Sequence, residues 1–368
     1  MSLPAEAHGK VAPDTTGATG PVEPTTPAPG PTGAAPVGDS AGVRGLIFLR
    51  DRGIFVLWGL LIIVFSVWAN PYFASVNNAI LIANAAAISA IFAAGVAVGI
   101  ICGALDLSIP GVAALSSCLT GWMIINGLPV WLALVTGLLV GALIGLLNGL
   151  ISLRGFNPII VTIAMLSVTS AIAAIIAGGY TIPGLEALDF MGTRRYLGVP
   201  APVWIVAVLF LVGTVFLTKT RDGIRLMAVG GSAEAVRRSG IHSNRYRVLA
   251  FVISSGCAAL GGLVTAATVT EASPSASPGI IFTALTAVAL AGVSLVGGRG
   301  SLPRVLVGAL ILATISNGLT IKGVQPYYAT GVTGLLLLGS LALERWISIS
   351  VSRRLMTTAQ ASVHTGTR

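Results

Sequence analysis

Long apolar runs recur along this chain and constrain its fold more than any other feature. From about residue 53 to residue 344, uncharged stretches of roughly 20 residues alternate with short polar connections. Runs of that length match the hydrocarbon thickness of a bilayer, where every backbone polar group needs a partner inside the protein. They are continuous and do not alternate as barrel strands do, so we expect transmembrane helices.

Composition agrees with a membrane protein. Apolar residues make up 55% of the 368 residues and charged residues only 9%, whereas soluble domains carry roughly 25% charged residues. The sequence therefore predicts an all-α polytopic protein. Ten spans are expected at 53–69, 78–102, 108–126, 130–150, 158–178, 202–218, 248–268, 281–297, 303–321 and 327–344.

Basic residues are distributed unevenly between the connections. With the N-terminus inside, 18 of the 21 lysines and arginines fall on the cytoplasmic side, and only Arg194, Arg195 and Lys322 fall outside. Short cytoplasmic loops carry such an excess in membrane proteins. We therefore predict ten spans with both termini cytoplasmic. The net charge of +9 reflects this orientation and does not indicate nucleic-acid binding.

The two ends of the chain differ from the spans. Residues 1–43 are rich in Pro, Ala, Gly and Thr, so a disordered cytoplasmic tail is predicted. Residues 44–346 form the predicted transmembrane domain, which includes a polar cytoplasmic connection over 219–247. Residues 347–368 form a predicted cytoplasmic C-terminal tail.

Two predicted spans carry glycines at intervals of four residues. Lipid gives no hydrophobic reward for helix association, and glycine lets helix backbones approach closely instead. We expect packing within the bundle rather than a dimer interface. The glycines concerned are Gly95, Gly99, Gly103, Gly137, Gly141, Gly145 and Gly149.

The sequence holds no catalytic constellation. There is no G-x-x-x-x-G-K-[ST] phosphate loop, and the spans contain no Ser/His/Asp arrangement, metal-ligand cluster or paired carboxylates. We expect no cofactor, no metal and no enzymatic activity in this chain, with the energy for transport supplied by a partner.

Few polar residues fall within the predicted spans. An ion-coupled transporter needs an ionisable group near the midplane, and Asp106 is the main candidate, although its position before Ser108 and Pro110 favours a helix cap. Candidates for a translocation path, which could equally bond a neighbouring helix, are Asn84, Ser89, Asp106, Ser108, Asn148 and Thr162.

The connection over 219–247 is the longest and most polar between spans. Ser232 can cap a short helix over 233–238, and Gly240 suits its end. Glu234 in the first turn and Arg237 and Arg238 in the last complement the helix dipole. Such a helix suits docking on another protein, and the alternative is a basic loop that only fixes orientation.

The 230–240 segment resembles the coupling loop of ribose-type ABC-transporter permeases, the membrane subunits of bacterial monosaccharide importers. Five more segments resemble motifs of the same family in the same order, and the resemblance spans about residues 45 to 345. They are Gly103-Ala104-Leu105-Asp106-Leu107-Ser108, Asn157-Pro158-Ile159-Ile160-Val161-Thr162, Leu197-Gly198-Val199-Pro200-Ala201-Pro202-Val203-Trp204, Ser294-Leu295-Val296-Gly297-Gly298-Arg299-Gly300-Ser301 and Asn317-Gly318-Leu319.

The resemblance implies a set of partners and a location. Two permease chains, as a homodimer or heterodimer in the bacterial inner membrane, would form the pathway, and a soluble binding protein would deliver substrate at the outer face. Two cytoplasmic ATPase subunits would bind the coupling loop and drive alternating access. The residues of this coupling loop are Gly230, Gly231, Glu234, Arg237, Arg238, Ser239 and Gly240.

The chain departs from the family at two places that bear on the substrate. Ile280-Ile281-Phe282-Thr283 stands where members commonly have Tyr-Glu-Leu-Asp, and Pro110 stands where they often have Gly. The leading hypothesis is an ABC importer permease for a monosaccharide or similar small polyol. The alternatives are an ABC permease for a nucleoside, a furanose signal or a branched-chain amino acid, and a secondary transporter or channel without an ATPase.

Overall fold

Helices form almost all of the regular structure in the computed structural model, which describes residues 41–342 and 345–346 and side chains from residue 52 onward. The predicted tails over 1–43 and 347–368 lie outside the described residues, except that the first helix already begins at Ala41. In chain order the helices are α1 (Ala41–Trp68), α2 (Val76–Cys102), α3 (Ile109–Ile125), α4 (Val130–Ser152), α5 (Pro158–Ile176), α6 (Ala201–Lys219), α7 (Arg221–Gly231), α8 (Ala233–Arg238), α9 (Ser243–Val269), α10 (Gly279–Leu290), α11 (Leu302–Ile321) and α12 (326–342).

Apolar helices coincide with the predicted spans. Within the described residues, α2, α4, α5, α6, α9 and α11 are long and apolar enough to cross a membrane, and Arg52–Trp68, α3 and α10 are shorter apolar helices. The chain is thus a mostly helical, multi-pass membrane protein.

The predicted span over 281–297 is wrong at its end. Helix α10 stops at Leu290 after 12 residues, because Gly292 takes a left-handed conformation with φ 67° directly after the cap residue Ala291. At 1.5 Å per residue, such a helix is about 18 Å long and covers only part of a ~30 Å hydrocarbon core.

The 219–247 connection is more ordered than the sequence predicted. It contains α7 as well as α8, and α9 begins at Ser243 rather than near residue 248. Single residues separate these helices: Thr220 lies between α6 and α7, and Ser232 lies between α7 and α8.

Glycines bring α4 directly against α9. A Cβ on Gly145 would lie 2.8 Å from Phe251 C and from Val252 Cα, and one on Gly149 would lie 2.9 Å from Val248 Cα. Gly137 and Gly141 make similarly close approaches to main-chain oxygens, of Ser116 on α3 and Ser255 on α9. Each of the four glycines of this stripe thus lies against another helix of the same chain.

The second glycine stripe splits between two roles. A Cβ on Gly95 would lie 2.8 Å from Ser254 O, and one on Gly99 would lie 2.6 Å from Ala104 O. Gly103 was wrongly grouped with them. It has φ 75°, ends α2 as a left-handed cap, and has no neighbouring atom within 4 Å of an added Cβ.

Two short antiparallel strand pairs lie in connections between helices. β1 (Ile182–Pro183) pairs with β4 (Glu271–Ala272), and β2 (Arg195–Tyr196) pairs with β3 (Val199–Pro200). The first pair ties the connection after α5 to the end of α9. The second leads the chain directly into α6.

Candidate functional site

The chain reverses sharply where α6 meets α7. The Thr220 hydroxyl donates to Phe216 O at 2.6 Å, and it accepts the Gly223 amide at 3.1 Å, which caps α7. Gly223 is needed at this corner because a Cβ there would lie 2.6 Å from Leu217 Cα. The reversal folds α7 back against the helix that precedes it.

One face of α7 packs on the protein and the other carries charge. Leu226 and Val229 are buried. The Tyr246 hydroxyl on α9 donates to Asp222 Oδ1 at 2.9 Å and accepts from Arg225 at 3.3 Å. This hydrogen bond to Tyr246 raises the pKa of Arg225 above its ordinary value. Side-chain bonds thus attach α7 to the first turns of α9.

Helix α8 matches the sequence prediction. The Ser232 hydroxyl accepts the Ala235 amide at 3.2 Å, and Gly240 follows the helix with φ 78°. Glu234 pairs with Arg237 and Arg238 on the exposed side, where the three side chains are 52%, 69% and 79% exposed. Its buried residue is Val236, so α8 directs its charges outward.

The end of α7 packs closely against the end of α2 and the turn at Gly297-Gly298. A Cβ on Gly230 would overlap Ile101 O at the end of α2 and lie 2.8 Å from Gly298 N. The Gly298 amide donates to that same Ile101 O at 2.8 Å. A Cβ on Gly297 would in turn lie 2.8 Å from Gly230 O. We call this contact of Ile101, Gly230, Gly231, Gly297 and Gly298 the glycine seat.

A buried polar cluster lies deeper in the bundle, around the break between α2 and α3. Asp106 Oδ1 accepts the Ser108 amide at 2.9 Å and the Ser108 hydroxyl at 2.5 Å, and Oδ2 accepts the Ser255 hydroxyl at 2.9 Å. Asn148 donates its side-chain amide to Ser108 Oγ at 2.9 Å. The cluster therefore joins the 103–108 break, which leads into α3, to α4 and α9.

The expected helix cap takes a different form in this cluster. Ser108 occupies the residue before α3 but makes no side-chain cap bond. Asp106 instead accepts the Ser108 amide, two residues along the chain, in a local turn. The carboxylate organises the turn before the helix rather than the first helical turn itself.

The six path candidates separate into groups. Asp106, Ser108 and Asn148 come together in the buried cluster and are at most 1% exposed. Thr162 is also fully buried, and its hydroxyl donates to Pro158 O of its own helix at 3.0 Å. Asn84 and Ser89 lie on α2, away from the cluster, and are half-buried.

Sequence reasoning missed three contributors to these contacts. Ser255 lies in an otherwise apolar part of α9, where adjacent serines were a visible but unused signal. Tyr246 lies just before the predicted start of that span. The Gly297-Gly298 turn was noticed as a motif, but nothing in the sequence pairs it with Gly230.

Among the residues the structure describes, no group of three His, Cys, Asp or Glu side chains could hold a metal ion. The two arrangements that emerge are the outward-facing α8 on its glycine seat and the buried polar cluster.

Comparisons with known proteins identify relatives over most of the chain. The ribose import permease protein RbsC of Bacillus subtilis is 34% identical over 301 residues, which cover 81% of this chain and 93% of the relative. The D-allose transport system permease protein AlsC of Escherichia coli is 30% identical, with 82% and 94% covered. The L-arabinose transport system permease protein AraH of Escherichia coli is 31% identical, with 80% and 90% covered.

A solved inward-facing ABC transporter of the metal-chelate type superimposes with a TM-score of 0.44 and 18% identity, over 82% of this chain and 99% of that chain. A family model described as branched-chain amino acid transport system / permease component matches residues 78–341. Because this family model matches residues 78–341 and the identity to RbsC extends over 81% of this chain, the chain belongs to this family of transport-system permease components.

Proposed function

We propose that the chain is the membrane-spanning subunit of an ATP-driven importer that moves a monosaccharide or a similar small polyol. The observation that carries this proposal is the arrangement of α8, which exposes three charged side chains while α7 is wedged on the glycine seat behind it. An ATPase subunit that binds α8 would therefore be linked through α7 and the glycine seat to the transmembrane helices.

The proposed topology has ten spans with both termini cytoplasmic in a bacterial inner membrane. The 18-to-3 distribution of basic residues supports it. α10 is short, so the eighth crossing would include the 291–301 segment as irregular backbone. Such backbone is tolerated in a membrane where it is covered by protein.

The proposed assembly contains two permease chains, two ATPase subunits and an extracytoplasmic binding protein. ATP binding would move the ATPase subunits, and Gly230, Gly231, Glu234, Arg237, Arg238, Ser239 and Gly240 would receive that motion. From α8 it would pass through α7 to the glycine seat, and from there to the end of α2 and the turn before α11. The permease then needs only different contacts in its two states.

The substrate class follows from the relatives, whose names specify ribose, D-allose and L-arabinose. The path would run between two permease chains, so its residues are expected to have exposed surface in one chain. Asn84 and Ser89 on α2 fit that requirement better than the four buried candidates. Ile281 and Thr283 near the start of α10 replace the two acids of the family segment, and Phe282 between them is 56% exposed, which favours a less polar mouth.

A second candidate substrate has one specific observation behind it. The matching family model carries the description of a branched-chain amino acid system, and the apolar 280–283 segment would suit an apolar solute. The ligand of the companion binding protein distinguishes the two, and a thermal-shift screen with sugars, polyols and amino acids identifies it. Stabilisation by pentoses or hexoses supports the sugar proposal, whereas stabilisation only by amino acids contradicts it.

Uptake assays separate an ATP-driven importer from a secondary transporter. We expect uptake to disappear when the co-encoded ATPase is inactivated and to persist when a protonophore is added while ATP is held constant. Uptake that continues without the ATPase would contradict the proposal.

Charge reversal on α8 tests the coupling role. We expect Arg237→Glu with Arg238→Glu to abolish ATP-driven uptake while the chain still inserts, because the exposed pair would face the ATPase. Arg154→Glu, an exposed charge at the same end of the bundle, serves as the control and should retain uptake. Normal uptake by the α8 variant would remove α8 from the coupling path.

A further inference from the structure

Two buried polar atoms at the buried polar cluster have no hydrogen-bond partner within the described part of the chain. They are Asn148 Oδ1 and Ser254 Oγ, and both residues are 0% exposed. The Asn148 side-chain nitrogen donates to Ser108 Oγ at 2.9 Å, so the oxygen of the same planar amide also lies at the cluster. Buried polar groups in folded proteins are almost always bonded, so two unpartnered oxygens at one place need an explanation.

The Ser254 hydroxyl lies on the side of α9 that faces the break between α2 and α3. A Cβ on Gly99, in the last turn of α2, would lie 3.9 Å from Ser254 Oγ. The same hydroxyl lies near the Asp106 carboxyl group. The next residue, Ser255, donates its hydroxyl to Asp106 Oδ2 at 2.9 Å. Both serine hydroxyls are therefore beside this carboxyl group.

The hydrogen-bond donors of the cluster are already in use. Asp106 accepts the amide and the hydroxyl of Ser108 and the hydroxyl of Ser255. The side-chain oxygen of Asn148 can only accept a bond. A group from outside the chain, either a hydrogen-bond donor or a cation, is therefore needed to satisfy that oxygen.

The Asp106 carboxyl group also lacks a positively charged partner. It is 1% exposed, and its hydrogen-bond partners among the described residues are serines, none of which is charged. An ionised carboxylate inside a transmembrane bundle is costly unless a positive charge compensates it. A bound cation would supply that charge and would contact the two unpartnered oxygens at the same time.

The available ligands determine which cation fits. They are a single carboxylate, a side-chain carbonyl and a hydroxyl, and they include none of the nitrogen or sulfur ligands that zinc and copper prefer. A divalent ion would leave a net positive charge buried beside one carboxylate, which is unfavourable. A monovalent ion makes the site neutral. Irregular backbone between two half-helices binds sodium in other membrane transporters.

We propose that the break between α2 and α3 holds a sodium ion, with Asp106, Asn148 Oδ1 and Ser254 Oγ as its ligands. The ion neutralises the carboxylate and joins the break to α4 through Asn148 and to α9 through Ser254. The hydroxyls of Ser108 and Ser255 orient the carboxylate by hydrogen bonding to it. In this account the ion stabilises the bundle, and the energy for transport still comes from ATP.

Sodium binding to the purified full chain tests the proposal without any transport assay, so its failure is distinct from failure of the importer proposal. An ion that binds only the folded chain stabilises it. Replacing choline chloride with sodium chloride at constant ionic strength and pH should therefore raise the unfolding temperature. Radioactive sodium should also bind to the chain in a direct binding assay. Equal unfolding temperatures in the two salts, with no bound radioactive sodium, would overturn the proposal.

A matched pair of serine variants locates the site. Ser254→Ala should weaken sodium binding by about tenfold, because one ligand is lost. Ser116→Ala should bind sodium as the wild type does. Ser116 Oγ is equally buried and unpartnered, but its residue lies eight positions after Ser108, about 12 Å farther along α3. Equal sodium affinity of the two variants would exclude Ser254 as a ligand and overturn the site.

Asp106→Asn separates a bound cation from a bound proton. This variant keeps the shape of the side chain and removes its charge, so it should no longer bind sodium. Sodium binding that persists in Asp106→Asn would place the ion elsewhere and overturn the proposal. The proposal is also overturned if acidification, and not sodium, stabilises the wild type and this response is lost in Asp106→Asn, since a proton would then occupy the cluster. If Asp106→Asn does not fold, the serine pair decides.

Discussion

The glycine seat makes a quantitative prediction about two neighbouring residues. Gly230→Ala places a methyl group against Ile101 O and 2.8 Å from Gly298 N, whereas Gly231→Ala places one 3.9 Å from Gly298 Cα, an ordinary contact. Both residues belong to the last turn of α7. The two variants therefore share composition and helix position and differ in the space around the added carbon.

The expected free-energy changes follow from these contacts. Overpacking at Gly230 destabilises by about 1–3 kcal/mol, and loss of the Gly298–Ile101 hydrogen bond adds about 1 kcal/mol. The higher helix propensity of Ala offsets about 1 kcal/mol, which leaves a net loss of about 1–3 kcal/mol. Gly231→Ala has only the gain in helix propensity and should be neutral or slightly stabilising.

Thermal unfolding of the purified chain and ATP-driven uptake measure the two consequences. Gly230→Ala should lower the unfolding temperature and reduce uptake per ATP hydrolysed, because the end of α7 shifts away from α2. Gly231→Ala should match the wild type in both assays. Identical behaviour of the two variants would refute the close approach at Gly230 and the transmission path built on it.

Three other perturbations probe separate contacts. Gly145→Ala should destabilise by about 1–3 kcal/mol in thermal unfolding because α9 main chain lies 2.8 Å from the added carbon, while Gly256→Ala on α9, with open space around it, should not. Tyr246→Phe should lower stability by about 1 kcal/mol through loss of the bonds to Asp222 and Arg225, and an unchanged unfolding temperature would contradict this. Asp106→Asn should lower the unfolding temperature less than Asp106→Ala does. The alanine leaves buried hydrogen-bond donors unpaired, at a cost of about 1–3 kcal/mol each. Full stability of Asp106→Asn with complete loss of uptake would instead indicate an ion-coupling role.

Local signals predicted local structure well. The spans followed from run length, and α8 followed from Ser232 before it and Gly240 after it, both of which act within a few residues. The α4 glycines predicted close packing because a four-residue interval places them on one helix face. In each case the physical cause lies within one helix or at its end.

The sequence-based predictions failed where the local structure depends on residues distant in sequence or on a backbone dihedral angle. Gly103 shares the four-residue interval of Gly95 and Gly99 but has φ 75°, which spacing does not reveal. Helix α7 holds three glycines among its 11 residues, which weakens its local helix propensity, and its Leu226 and Val229 are buried against other parts of the chain. The apolar composition of 281–297 hides the turn at Gly292.

The buried cluster shows the same limit for the candidate site. Asp106 meets Ser255, a residue 149 positions away, and Ser108 meets Asn148, 40 positions away. The sequence identified Asp106, Ser108 and Asn148 as unusual in apolar surroundings. Which of them bond one another, and through which helices, is decided by how α3, α4 and α9 pack.

Site-specific cross-linking from α8 tests the central claim most directly. A cysteine at Arg238, whose side chain is 79% exposed, should cross-link to the ATPase subunit in the assembled transporter, and Lys322→Cys at the far end of α11 should not. The native cysteines Cys102, Cys118 and Cys257 are buried and add little background. Cross-linking from position 238 alone is the predicted result. Absence of a product from position 238, or an equal yield from position 322, would contradict an ATP-driven permease coupled through α8.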